Sequence, residues 1–267
     1  MKQGKLLKGV CLFFIFLGIL QFLTNGLQYF AHKREQKNLR EVFEQAQDKQ
    51  IDGQASGDEE EKLQEEEWEA EKTKEMLSKF EELYEQNSDI VGWLSIEGTK
   101  INYPVMQSED DDEYYLHRSF QKEEDKYGSL YVRQRADVFT PGTNFVIYGH
   151  NMRDGSMFGE LDRFTEESFF KEHPLISFDT LYEERTYEIV SVFLSQVYRQ
   201  DQEVFKYYQF YQADTEEEFN CFYQNIKKLA LYDTGVEAEY GDTFLTLSTC
   251  AYHVEEGRLV VVAKKLD

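Results

Sequence analysis

The sequence predicts a mainly β domain with few helices, closed into a small barrel, behind an apolar N-terminal helix. Three observations carry this expectation. Short β-prone runs recur from Ile90 to the C-terminus, separated by Gly, Pro, Asn and Asp. Helical periodicity is confined to a few segments. The stretch from Leu6 to Leu23 is almost continuously apolar, and its length of about 18 residues is close to the lower limit for a membrane-spanning helix.

Taken in order, Lys2, Lys5 and Lys8 precede or open the apolar run, and His32-Lys33-Arg34 and Lys37 follow it, so charge bias alone does not orient it. No small-x-small cleavage site follows, which favours a retained anchor over a cleaved signal peptide. Residues 31–56 read as a polar juxtamembrane stretch with Gly53 and Ser56-Gly57 as breakers. Asp58 to Gln86 reads as a charged helix whose second half docks through Leu77, Phe80 and Tyr84. Asn87-Ser88-Asp89 ends it. Strands follow over Ile90 to Ile96 and Lys100 to Met106, the latter with Pro104 marking an edge or a bulge. Tyr114 to Phe120 reads as a short helix. Gly128 to Val132 and Thr143 to His150 are strands, and short helices fall near Phe158 to Leu161 and Ser168 to Phe170. Thr186 to Tyr198 is long enough for one bent strand. Thr215 to Tyr232 is the clearest helix, capped by Thr215, with Glu216, Glu217 and Glu218 matching the positive end of its dipole. Asp242 to Cys250 and Arg258 to Lys264 are the last strands.

The net charge of −23, from 29 basic and 52 acidic residues, excludes a dominant basic face and so argues against nucleic acid as a partner. Residues 41–86 hold 17 acidic and 5 basic side chains, about half of the excess. The acidic run Glu109-Asp110-Asp111-Asp112-Glu113 lacks the Gly and terminal Glu of a calcium loop and reads as a solvated loop, so no metal and no cofactor are assigned. Cys11 lies in the apolar run, and Cys221 sits in a helical pattern with Phe219, Phe222, Ile226 and Leu229, where it reads as core packing. With only Cys250 besides, no disulfide framework is expected.

Cys250 ends the β-prone run Phe244-Leu245-Thr246-Leu247-Ser248-Thr249, and Arg258 opens the next one, so the two can face each other at one end of a sheet. A guanidinium there stabilises a thiolate or a developing oxyanion. His150 ends Val146-Ile147-Tyr148-Gly149, after a glycine that lets the backbone turn, and imidazole suits proton transfer to and from a thiol near neutral pH. His32 lies beside the apolar run, His117 in a helical stretch, and His173 before Pro174. His253, three residues from Cys250, competes with His150 but sits in a loop that reads as exposed.

Thr246-Leu247-Ser248-Thr249-Cys250, Tyr148-Gly149-His150-Asn151 and Arg258 together resemble the signature of the sortases, membrane-anchored cysteine transpeptidases of Gram-positive bacteria. Asn151-Met152 and Gly155-Ser156-Met157-Phe158-Gly159, with a long insertion before the final strands, resemble class B. The resemblance runs from about Ile90 to the C-terminus. It implies a sortase-type closed barrel of about eight strands, with an N-terminal helical extension and a helix in the long loop before the Cys strand. It implies Cys250 as nucleophile, His150 as acid and base, and Arg258 at the oxyanion, aided by a backbone N–H near Ala251. Tyr115 and Leu116 are implied at the substrate groove, with Asp112 where a relative uses Asn, while Ser248 and Thr249, beside the nucleophile, read as orienting it, as contacting substrate, or as plain strand composition. The implied organisation is a cytoplasmic stub and transmembrane anchor (1–30), a charged, partly helical linker (31–86) and an extracellular catalytic domain (87–267). The implied partners are a surface protein bearing a sorting signal, an amine of peptidoglycan precursor, and membrane lipid. A secreted cysteine protease, a pilin-polymerising sortase and a non-catalytic wall-binding barrel remain competing readings.

Overall fold

The computed structural model describes residues 2–54, 75–138, 140, 142–252 and 254–266, with side chains in the first helix described from Phe14 to Lys49. The chain divides into two compact units, residues 1–39 and 40–267. A single helix, α1 (Lys2–Gln54), begins in the first and ends in the second. It runs through the stretch read as juxtamembrane as far as Gln54, because Glu, Gln, Lys, Leu and Ala there are all strong helix formers; Ser56-Gly57, expected as a breaker, lies outside the described residues. Its segment Phe14–Lys49 contains an apolar window long enough to cross a membrane, with none of that window buried against protein.

In the second unit, Phe43 of α1 stacks on Trp93 with ring centroids 4.3 Å apart and meets Phe80 at 5.4 Å. Phe80 belongs to α2 (Ser78–Gln86). This helix buries Lys79, Phe80 and Leu83, with Leu77 half-buried at its N-cap and Tyr84 exposed, so of the three expected docking residues only Phe80 is buried. Lys79 is buried because its ammonium meets Asp179 at 2.8 Å and also reaches Glu184.

Eight strands close into a barrel: β1 (Ile90–Ser95), β2 (Asn102–Gln107), β3 (Leu130–Val132), β4 (Asn144–Tyr148), β5 (Leu175–Thr180), β6 (Thr186–Gln196), β7 (Phe244–Cys250) and β8 (Gly257–Lys265), in the order β1-β2-β3-β4-β7-β8-β6-β5. Two neighbours are parallel, β2 with β3 and β4 with β7; the rest are antiparallel. Closure leaves no open edge. Pro104 is accommodated because β3 joins β2 only from Val105 onward. β6 is one bent strand as expected, with its pairing to β8 slipping between Ile189 and Ser191, a bulge that bends the strand. β5 was not anticipated, although Ile176, Phe178 and Thr180 alternate inward; the preceding His173-Pro174 masked the pattern. The helix expected over 114–120 is a single 3-10 turn, Tyr114–His117.

After a second 3-10 turn at Leu161–Thr165, α3 (Glu167–Glu172) precedes β5. A third turn, Tyr207–Gln209, and α4 (Glu216–Leu229) lie in the long connection between β6 and β7. Thr215 and Glu218 form the reciprocal cap that starts α4. Phe219, Phe222 and Ile226 pack on Val190, Phe244 and Val260, and Phe210 stacks on Phe222 at 4.1 Å. This layer explains Leu259-Val260-Val261-Val262-Ala263: β8 has one face in the barrel and the other under cover, so its apolar residues do not alternate. Cys221, read as core, is exposed, because helical spacing turns it away from Phe219 and Phe222.

Candidate active site

The parallel register of β4 and β7 sets the site. Tyr148 pairs with Ser248, so the chains leave the sheet side by side, with His150 level with Cys250. Two further bonds hold these exits together. The Gly149 N–H donates to Ser248 O at 3.3 Å, and the Thr249 hydroxyl donates to Gly149 O at 2.8 Å. Across the β7–β8 hairpin, Cys250 and Arg258 are direct partners. Side chains of Cys250, His150 and Arg258 therefore line one cleft of about 440 Å3, with Leu116, Tyr131, Tyr207, Ser248 and Thr249 among its other walls.

Gly149 is needed for space rather than for a left-handed turn. A Cβ there would collide with Leu130 Cδ2 and lie 2.8 Å from Phe158 Cδ2. The His150 ring bonds Leu116 O through Nε2 at 2.8 Å. A carbonyl only accepts, so Nε2 carries the hydrogen and Nδ1 keeps its lone pair in the neutral ring. Burial holds the His150 pKa below the ordinary imidazole value; the Leu116 bond opposes this, and nearby His117 adds to it, its ring centroid 5.5 Å away. The neutral imidazole is thus favoured near neutral pH, as a proton acceptor requires.

Cys250 is partly exposed. Arg258 donates from Nη1 to Gly257 O at 2.9 Å and pairs with Glu256 at 3.5 Å, which leaves further N–H groups of its five for a ligand oxygen. Tyr131 feels the charges of both Arg258 and Cys250, although burial is what chiefly raises its pKa.

The other expected groove residues divide. Leu116 lines the cleft and anchors His150. Ser248 and Thr249 also line it, but their hydroxyls are already bonded: Ser248 to Tyr207 Oη at 2.7 Å, Thr249 to Gly149 O. Both act on the wall itself. Tyr115 is buried, its phenol donating to Asp89 at 2.7 Å and accepting from Asn87 at 2.9 Å, so it is a core residue and not a groove contact. The Ala251 N–H, foreseen near the oxyanion, is committed to Gly257 O at 2.9 Å by the hairpin. Asp112 accepts the Gln134 N–H at 2.9 Å, and Asp111 accepts that of Glu113 at 2.9 Å, so this acidic loop spends carboxylates on its own backbone. His253 lies outside the described residues.

Asn151 was legible only as part of a motif, and the structure gives it a task. Its amide donates to Cys250 O at 2.9 Å and to the two Asp162 carboxylate oxygens at 3.1 and 3.2 Å. Both partners only accept, so the amide orientation is fixed by chemistry. The residue after the imidazole thereby holds the backbone of the thiol.

A thiol, an imidazole with a free lone pair and a guanidinium around one open cleft suit acyl transfer through a thioester. The family model for the Sortase domain matches residues 94–266. The chain is 33% identical over 196 residues to sortase B of Listeria monocytogenes, spanning 71% of this chain and 75% of the relative. It is 30% identical over 187 residues to sortase B of Staphylococcus aureus, spanning 69% and 73%. The crystal structure of sortase B from Bacillus anthracis in complex with AAEK1 matches with a TM-score of 0.70 at 31% identity, over 90% of this chain and 99% of that one. On its barrel, its cleft and these relatives, the chain belongs to the sortase family of cysteine transpeptidases, in class B.

Proposed function

We propose that this transpeptidase is anchored in a membrane by α1, with its barrel outside the cell, and that it joins a sorting-signal protein to an amine of peptidoglycan precursor through a thioester on Cys250. The observation that carries this is the single cleft shared by Cys250, His150 and Arg258. His150 Nδ1 takes the thiol proton as sulfur adds to a sorting-signal carbonyl. Arg258 stabilises the oxyanion with N–H groups not spent on Gly257 and Glu256. The intermediate collapses, the C–N bond breaks, and the imidazolium returns the proton to the leaving amine. A second amine then attacks the thioester; His150 accepts its proton, and the Cys250 sulfur leaves and is reprotonated. The apolar window of α1 supports the anchor.

The test is incubation of the purified protein with a library of candidate sorting peptides, with and without an added amine, followed by mass spectrometry. An acyl adduct on Cys250 and product carrying the amine are expected. Product that forms only by addition of water would favour the protease reading. Transfer that persists undiminished in Cys250→Ala would end the thioester proposal.

A further inference from the structure

The cleft carries further polar groups that the acyl-transfer steps do not use. Arg133, just after β3, and Arg135 line it together with Tyr148. The Arg133 guanidinium lies 5.0 Å from the Tyr148 ring centroid, and that of Arg135 lies 3.9 Å from the Tyr211 centroid. Tyr148 also stacks on Tyr131 at 5.6 Å. Arg133 Nε is buried without a hydrogen-bond partner among the described residues, and the buried Tyr148 and Tyr211 hydroxyls have only each other. Arg133 Nε–H can only donate, and a phenol pair that shares one hydrogen bond keeps one hydrogen to donate. A buried polar group left unbonded costs about 1–3 kcal/mol, so folds rarely retain one without a purpose.

Charge points the same way. The chain carries −23, yet this cleft is lined by Arg133, Arg135 and Arg258 against one carboxylate, Glu113. Glu113 approaches Arg133 only to 3.9 Å and is itself 60% exposed, so it stands at the rim. A cationic cleft in an acidic protein concentrates anionic ligands against the prevailing field. A planar, acceptor-only group with negative charge answers both the unbonded donors and the guanidinium fork, and that group is a carboxylate.

We propose that Arg133, Arg135 and Tyr148, with Tyr211 against Arg135, form a carboxylate subsite in the transpeptidation cleft, so that one of the two substrates carries a free carboxylate near its reacting group. This rests on the acyl-transfer reading of the same cleft. The carboxylate belongs either to the acyl-donor peptide or to the acceptor amine, and two arms separate these sources. In the first, a cleavable peptide is compared with Glu and with Gln at each position flanking the scissile bond. In the second, glycylglycine is compared with glycylglycinamide as acceptor. The acid form should be favoured in kcat/KM by roughly 10-fold or more in one arm, the size of one charge-assisted hydrogen bond. Arg133→Gln and Tyr148→Phe, checked for folding by thermal melting, should bring that ratio close to one. A ratio of one in both arms for the unaltered protein overturns the subsite. So does an equal loss on acid and amide forms in Arg133→Gln, which marks a merely structural residue. Should no peptide be cleaved at all, the thioester reading is what fails. Calorimetric titration of the unaltered protein with glycylglycine, its amide and the Glu-bearing peptides then judges the subsite alone; absence of any acid preference overturns it.

Discussion

Replacing Thr249 with valine removes one hydroxyl and almost no volume. The side chain is 2% exposed, and its hydroxyl donates to Gly149 O at 2.8 Å. Valine keeps the branched shape that suits β7, so packing and strand preference stay nearly constant. What is lost is a buried hydrogen bond, and a carbonyl is deprived of its donor. That costs about 1–3 kcal/mol. Taking about 2 kcal/mol, the midpoint of thermal unfolding of a domain of this size should fall by about 4–8 °C. The same bond ties the residue before His150 to the residue before Cys250, so kcat should fall while KM changes little. Denaturation in urea followed by fluorescence and circular dichroism gives the free energy, and peptide cleavage gives the kinetic split. Thr249→Ser restores the donor and should recover most of both losses. A valine variant as stable as the parent, or a serine variant no better than valine, would refute the reasoning.

Four further outcomes follow from the same geometry. Cys250→Ala should abolish cleavage and transfer, His150→Ala should do nearly the same, and Arg258→Ala should lower turnover by about 10²–10³ with little change in melting temperature, as for loss of one oxyanion donor; peptide assays and melting curves read these. Because the folded state holds the His150 pKa below 6.5, the acid limb of kcat/KM should lie below pH 6.5, and His117→Gln should move it upward by removing a neighbouring charge. The same shift means that the folded state binds fewer protons than the unfolded one, so stability should decline as pH falls from about 6.5 toward the folded value; denaturation midpoints across that range check the sign. Lys79→Met should destabilise by about 3–5 kcal/mol in denaturant titrations, since Asp179, already raised in pKa by burial, would lose its ammonium partner.

Much of the site was legible because its members sit at the ends of runs whose periodicity is local. Cys250, His150 and Arg258 each mark the end or the start of a strand, and strand ends are set by nearby residue types. The cap at Thr215 was likewise readable from four consecutive residues. Readings that failed required knowing which way a side chain points. Tyr115 turns into the core, and Cys221 turns out of it. Composition does not reveal such directions, because a shift of one residue reverses the face of a strand and two residues turn a helix side chain away.

From its own residues the chain determines a barrel of short strands, an apolar helix long enough to span a membrane, and a thiol, an imidazole and a guanidinium at strand termini. Only tertiary structure decides that β4 lies parallel to β7 across about a hundred residues of chain, which is what brings His150 beside Cys250. It also decides that Asn151 holds the Cys250 carbonyl and that Arg133 shares a cleft with the Tyr148 phenol. Pairing between distant strands depends on the closure of the whole sheet, and no local window of sequence contains it.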